Sequence, residues 1–97
     1  MTEPVIRHEI VDQWRKRARL NNHEYKNRNP ERLLLDLQRE LGKFNQCLSN
    51  VRRENEPYSN LYEHIAEIGA LSMELNHVVE KHDRVANNER ITEYTQE

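Results

Sequence analysis

Seven side chains hold the chemistry most accessible to this sequence: Asp36, Glu40 and Lys43 in one amphipathic stretch, and Glu63, His64, Glu67 and Glu74 in another. Carboxylates three or four residues apart share a helix face, so two such helices side by side can point several oxygens at one hard cation. At about 100° per residue, Asp36, Glu40, Lys43 and Cys47 fall in a narrow strip beside a leucine stripe. Glu63, Glu67 and Glu74 form a second strip, flanked by His64 and His77. Two acidic strips on adjacent antiparallel helices repel each other unless they face water, a cation or a basic partner. Three readings follow. The strips are solvated flanks with Arg39 and Lys43 as local counter-charges; they form a divalent-cation site, which needs about three converging carboxylates; or His64, Glu67 and one further ligand, for which His77 is a candidate, bind zinc. A His-x-x-Glu pair is common by chance and no His-Glu-x-x-His motif accompanies it, so the zinc reading is the weakest.

The elements that must position these residues are helical. Ile6, Ile10 and Trp14 are spaced four apart with Val11 and Ala18 alongside, which predicts a helix over Val5 to Leu20, apolar on one side and basic on the other. A polar, asparagine-rich connector ends in Asn29-Pro30-Glu31, where Asn29 suits the N-cap, Pro30 the first helical position and Glu31 the positive end of the dipole. The second helix carries the stripe Leu33, Leu34, Leu37, Leu41, Phe44 and Leu48 and fades near Arg53. Glu54 to Tyr58 is a turn, and Ser59 is an N-cap for a third helix running to about His82 with the stripe Leu61, Ile65, Ile68, Ser72, Leu75 and Val79. The short linker makes helices two and three an antiparallel hairpin. Beyond Asp83 only Val85, Ile91 and Tyr94 offer anchors, so residues 84–97 read as a short helix or a flexible tail. The expectation is a single all-α domain over residues 1–97, its helical core at 5–83, in an oligomeric bundle.

Composition sets the limits. The chain of 97 residues is 35% hydrophobic and 33% charged, so a lone copy buries a thin core and a homodimer or higher homo-oligomer is expected. The net charge of −2 argues against a global fit to nucleic acid and leaves room for a local basic patch, for which Arg7, Arg15, Lys16, Arg17 and Arg19 are candidates. Cys47 is the only cysteine and has no intramolecular disulfide partner; no stretch resembles a signal peptide or a membrane span, which points to a reducing cytoplasm.

The order of features resembles the MazG-like all-α nucleoside triphosphate pyrophosphohydrolases. The likeness spans roughly residues 10 to 80: Gln13-Trp14-Arg15-Lys16-Arg17, then a polar connector to Asn29-Pro30, then Leu33 to Phe44 with Asp36-Leu37-Gln38-Arg39-Glu40-Leu41-Gly42-Lys43, then Glu63-His64-Ile65-Ala66-Glu67-Ile68. In that family a Glu-x-x-Glu pair and a Glu-x-x-Asp pair on successive helices bind magnesium, which holds the substrate's phosphates. Carried over, the pairs fall on Glu40 with Lys43 and on His64 with Glu67. The resemblance thus implies Glu40 and Glu67 as catalytic ligands of Mg2+ or Mn2+, with His64, Glu63 and Asp36 as further metal ligands. Lys43, Arg15, Lys16 and Trp14 would contact the nucleotide. Lys43 departs most from the pattern, because an ammonium opposes a cation by repulsion and offers no oxygen; His64 is a poor magnesium ligand. A shifted set of Asp36, Glu40, Glu63 and Glu67 restores four carboxylates. The implied function is cleavage of nucleoside triphosphates to monophosphate and pyrophosphate. The alternative is an inactive MazG-like helical protein that binds a nucleotide or a protein partner, a picture that suits a viral or mobile-element accessory protein.

The remaining residues favour structural roles. Trp14 reads as a core or interface anchor before a base-stacking platform, and the basic run Arg15 to Arg19 as a solvated face before a triphosphate site. Tyr25 and Lys26 sit in a connector. Cys47 lacks a nearby base and is not a nucleophile by this pattern. Gly42 and Gly69 lie inside helices at a cost of about 1 kcal/mol each relative to alanine, which predicts close helix–helix approach at both.

Overall fold

A computed structural model describes residues 4–24 and 28–95, with side chains described as far as residue 87. It is all-helical: α1 spans His8–Glu24, α2 spans Pro30–Glu54, a single 3-10 turn spans Tyr58–Leu61 and α3 spans Tyr62–Thr95. Tyr25 and Lys26 lie outside the described residues.

Helix α1 begins three residues later than the periodicity predicts and runs on to Glu24. Val5 is 83% exposed, so the first apolar residue has nothing to pack on and the helix starts where Arg7 can accept from the amides of Ile10 and Val11. Helix α2 starts as expected. The Asn29 side chain accepts a hydrogen bond from the Arg32 amide at 2.8 Å, with Pro30 next in line. It stops at Asn55, whose φ of 57° provides the left-handed cap.

Ser59 does not cap α3. It lies within the 3-10 turn that follows Pro57, where the Asn60 amide bonds back to the Pro57 carbonyl, and α3 proper starts at Tyr62. The helix then continues well past His82 to Thr95. Local pairs support this polar stretch: Asn76 donates to Glu80, and Arg84 pairs with Glu80.

Contacts fix the directions. Glu40 meets His64, Cys47 meets Asn60 and Arg28 meets Glu74, so as one partner advances along the chain the other retreats, and α2 and α3 are antiparallel. Helix α1 runs the other way to α2 and parallel to α3: Arg17 meets Glu63 and Asn21 meets Glu67, and Trp14 lies on Gly69 while Arg19, Asn22 and His23 face His77 to Val85. Among the described residues α1 and α2 pack on α3 and not on each other. Helix α3 is therefore the central element.

That arrangement explains how the core differs from the predicted stripes. The buried apolar residues are Leu33, Val51, Leu61, Ala70 and Leu71. Leu34 and Leu41, expected in the core, are each 48% exposed, and Val79 is also exposed. Because α3 serves two neighbours, its buried surface rotates away from the simple Ile65–Ile68–Leu75 line to include Gly69, Ala70, Leu71 and Glu74. Gly69 is required: a Cβ there would sit inside the Trp14 ring, and Trp14 is thereby the anchor of α1. Gly42 has no neighbour within 4 Å of its would-be Cβ, so no close approach accounts for it.

The chain is elongated, with extents of 67 × 33 × 22 Å and a radius of gyration of 18.0 Å, against about 12.5 Å for a compact domain of this length. No helix among the described residues is long and apolar enough to cross a membrane.

Candidate anion-binding cleft and its carboxylates

The N-terminal half of α2 lies along α3 and leaves an open cleft of about 490 Å³. Its lining is Arg28, Arg32, Asp36, Arg39, Glu40, Lys43, Glu67 and Leu71. Arg32, Asp36, Arg39 and Lys43 follow each other at steps of four, three and four residues, which keeps all four on one edge of α2. Four cations and three carboxylates face this space.

Arg28, immediately before the N-cap, is the best-buried cation of the group. Its side chain is 13% exposed and bridges two helices, donating through Nη1 to Asp36 Oδ2 at 3.1 Å and through Nη2 to Glu74 Oε1 at 2.5 Å. Asp36 also lies 3.4 Å from Arg32 and 3.8 Å from Arg39. Three guanidinium groups therefore surround one carboxylate. Glu74 is buried, and that burial raises its pKa above the ordinary carboxylate value even though Arg28 pulls the other way.

Glu40, nearly inaccessible on the inner side of α2, is 2.9 Å from His64 Nδ1 and 3.8 Å from Lys43 Nζ. Glu67 turns toward α1, where it accepts from Arg17 Nη1 at 3.2 Å and from Asn21 Nδ2 at 3.1 Å. Glu63 is held by the other Arg17 nitrogen at 2.5 Å. The hydrogen bond to Glu63, followed by the charges of Glu63 and Glu67, raises the Arg17 pKa above its already high value, against the effect of burial.

The sequence-derived candidates divide accordingly. Asp36, Glu40, Lys43 and Glu67 share the cleft, and His64 supports it from behind through Glu40. Glu63 and Lys16 lie in a separate groove between α1 and α3 that Glu67 also reaches. Trp14 and Arg15 line an apolar groove with Ile65 and Ile68, away from Glu40. His77 is thirteen residues from His64 on the same helix, about 20 Å along its axis, so one chain does not bring the pair together.

The acidic strips do not face each other unscreened. Arg28 of the connector bridges Asp36 on one strip to Glu74 on the other, and Arg17 of α1 takes Glu63 and Glu67 from the far side of α3; the sequence reading names neither as a partner of these acids. The available signal was the unmet need for counter-charge beside Asp36, Glu67 and Glu74, together with Arg28 at the mouth of α2 and Arg17 on the inner edge of the basic run. Sequence spacing alone cannot say which basic residue crosses to which acid.

The test for a divalent ion follows from these pairs. Each carboxylate near the cleft is engaged by a cation of the same chain, and among the described residues no three His, Cys, Asp or Glu side chains are grouped to hold a metal ion. As arranged, the donor set suits neutralised carboxylates and does not fit a magnesium centre. What remains available are N–H donors: the side chains of Arg32, Arg39 and Lys43 are 54%, 59% and 68% exposed. No family model, curated protein or solved structure matches this chain.

Proposed function

We propose that this protein binds a nucleoside polyphosphate, or a closely related phosphoanion, in the cleft between α2 and α3, as a non-catalytic MazG-like binding module. One observation carries the reading: three half-exposed cations, Arg32, Arg39 and Lys43, stand in a row on α2 beside Asp36, which the buried Arg28 already holds, and Glu40, which His64 holds. Guanidinium groups hold phosphate oxygens through paired N–H bonds, and Lys43 adds a mobile point charge. Arg28 keeps the cleft floor from repelling an incoming anion. A protein partner with a phosphorylated or acidic segment would use the same donors, and a reducing cytoplasm suits the lone Cys47.

A second reading, pyrophosphohydrolase activity with Mg2+ or Mn2+, is favoured by one specific fact. Asp36, Glu40 and Glu67 all line this cleft. It requires a cation to displace Arg17 and Arg28 from their carboxylates.

The experiment is titration with nucleoside triphosphates in the presence of a chelator, for the wild type and for Arg39→Gln with Lys43→Gln. The expected result is metal-independent binding that weakens about tenfold or more in the double variant, in line with the loss of two charge-assisted contacts. Pyrophosphate release that depends on Mg2+ or Mn2+ and disappears in Glu40→Gln and Glu67→Gln would instead establish the hydrolase.

The functional unit is proposed to be a homo-oligomer, in the simplest case a dimer. The single chain exposes 8289 Å², roughly 2,400 Å² more than a compact monomer of its mass.

A further inference from the structure

The groove where the end of α1 meets α3 differs in kind from the cleft described above. It encloses about 830 Å³ and is lined by Arg19, Asn22 and His23 from α1, Arg28 and Asn29 from the connector, and His77, Val78, Lys81, His82 and Val85 from α3. Arg19, Asn22 and His23 are at i, i+3 and i+4, and His77, Lys81, His82 and Val85 at i, i+4, i+5 and i+8, so each set shares a helix face. Two rows of cationic and imidazole groups thus look at each other across the groove.

Among the described residues no carboxylate lies in this lining, although the chain as a whole carries a net charge of −2. The nearest acids on α3 do not supply the missing charge. Glu74, which adjoins Arg19 and His77, is committed to Arg28; Glu80 is engaged with Asn76 and Arg84, and Asp83 lies outside the lining. Arg28 is held by Asp36 and Glu74 and forms a fixed wall between this groove and the cleft on α2. Arg19 and Lys81 have no ion pair among the described residues, and both are exposed along with His23, His77 and His82. Facing like charges without an intervening acid oppose the packing of α1 on α3, a cost that an anion in the groove would remove.

We infer that this groove is a second anion site, separate from the α2–α3 cleft, and that its ligand is a phosphate-bearing anion. The donors are Arg19, Lys81 and the imidazoles, and the pattern suits a compact multivalent anion: the positive groups come from two helices and converge on one space. A peptide would need apolar seats, and only Val78 and Val85 offer any. The inference does not rest on the function of the first cleft.

Inorganic triphosphate in low-salt buffer with a chelator is the probe, followed by calorimetry. Arg19→Gln with Lys81→Gln removes the exposed donors of this groove, and Arg39→Gln with Lys43→Gln those of the other; all four residues are exposed, and circular dichroism checks that helicity is kept. The expected wild-type isotherm has a binding event that weakens about tenfold or more in the first double variant, survives in the second, and returns in Arg19→Lys with Lys81→Arg. A wild-type isotherm unchanged by Arg19→Gln with Lys81→Gln would overturn the inference, whatever happens at the α2–α3 cleft. So would an oligoglutamate peptide that binds the groove more tightly than triphosphate and is lost in the same variant, since that would identify an acidic protein segment as the ligand.

Discussion

Glu40 and Lys43 are one helical turn apart, and their geometry determines how the cleft treats charge. The lysine is 68% exposed and 3.8 Å from the carboxylate, a loose pairing that leaves its ammonium able to reach a ligand, while His64 keeps the closer contact with Glu40. Lys43→Glu therefore removes the proposed phosphate contact and adds a negative charge beside Glu40. The expected outcome is nucleotide affinity lowered by about tenfold or more in a chelator, read by calorimetry; improved affinity on adding Mg2+ would mean that the lysine had been blocking a metal site. Glu74 makes a pH-dependent contribution of opposite sign to a surface salt bridge. Its pKa is raised in the folded state by burial, so the folded protein binds more protons at this position than the unfolded chain, and stability falls as pH rises from the ordinary carboxylate value through the raised one. Glu74→Gln lacks this titration. The stability of the wild type relative to Glu74→Gln should decline over that window in urea melts at stepped pH, and a constant difference would count against a raised Glu74.

At the scale of elements, α1 is attached to the hairpin by a stacking contact and by charge. The Trp14 ring lies on Gly69 where any Cβ would intrude, and Arg17 bridges to Glu63 and Glu67 on the same helix. Gly69→Ala should force the ring aside and destabilise by about 1–3 kcal/mol, the usual range for overpacking; a red-shifted tryptophan emission would report the displaced ring, and an unchanged melt with unchanged emission would disprove the contact. The sequence made the helices legible because Asn29-Pro30 is a local signal and the leucine periods are long. It made the hairpin legible through its short connector. Ser59 misled, since a hydroxyl inside a 3-10 turn looks the same in sequence as one at a helix cap. Gly42 and Gly69 likewise look equivalent, and only the placement of Trp14 separates them. The lining of the α2–α3 cleft was legible in Asp36, Glu40, Lys43 and Glu67 and in Arg39, and not in Arg28 or in the direction Arg17 takes. Local spacing finds residues on one face of one helix, whereas Arg17 and Arg28 reach carboxylates 46 to 50 residues away.

For the whole molecule the governing quantity is surface. Five buried apolar side chains among the described residues are few for a domain that must offset the ordering entropy of its chain. The unpartnered surface is not random. Leu34, Leu37, Leu41, Phe44 and Leu48 follow the three-four alternation of a packing seam along α2, yet Leu34 and Leu41 are each 48% exposed, with Leu35 beside them at 41%. Helix α3 covers the neighbouring face through Leu33 and Val51, so this seam is free to meet an equivalent one. The surplus of roughly 2,400 Å² per chain exceeds the roughly 800 Å² that each partner buries in a standard interface, which leaves room for a dimer even after the exposed length of α3 is discounted. Sedimentation equilibrium at tens of micromolar should return a mass of at least twice 11.8 kDa, and Leu34→Glu with Leu41→Glu should reduce it to the single chain while lowering the melting temperature, because the folding of each copy then loses the contribution of the other. A wild type that stays monomeric at that concentration and melts cooperatively would show that the five-residue core suffices, and the leucine seam would then need another occupant.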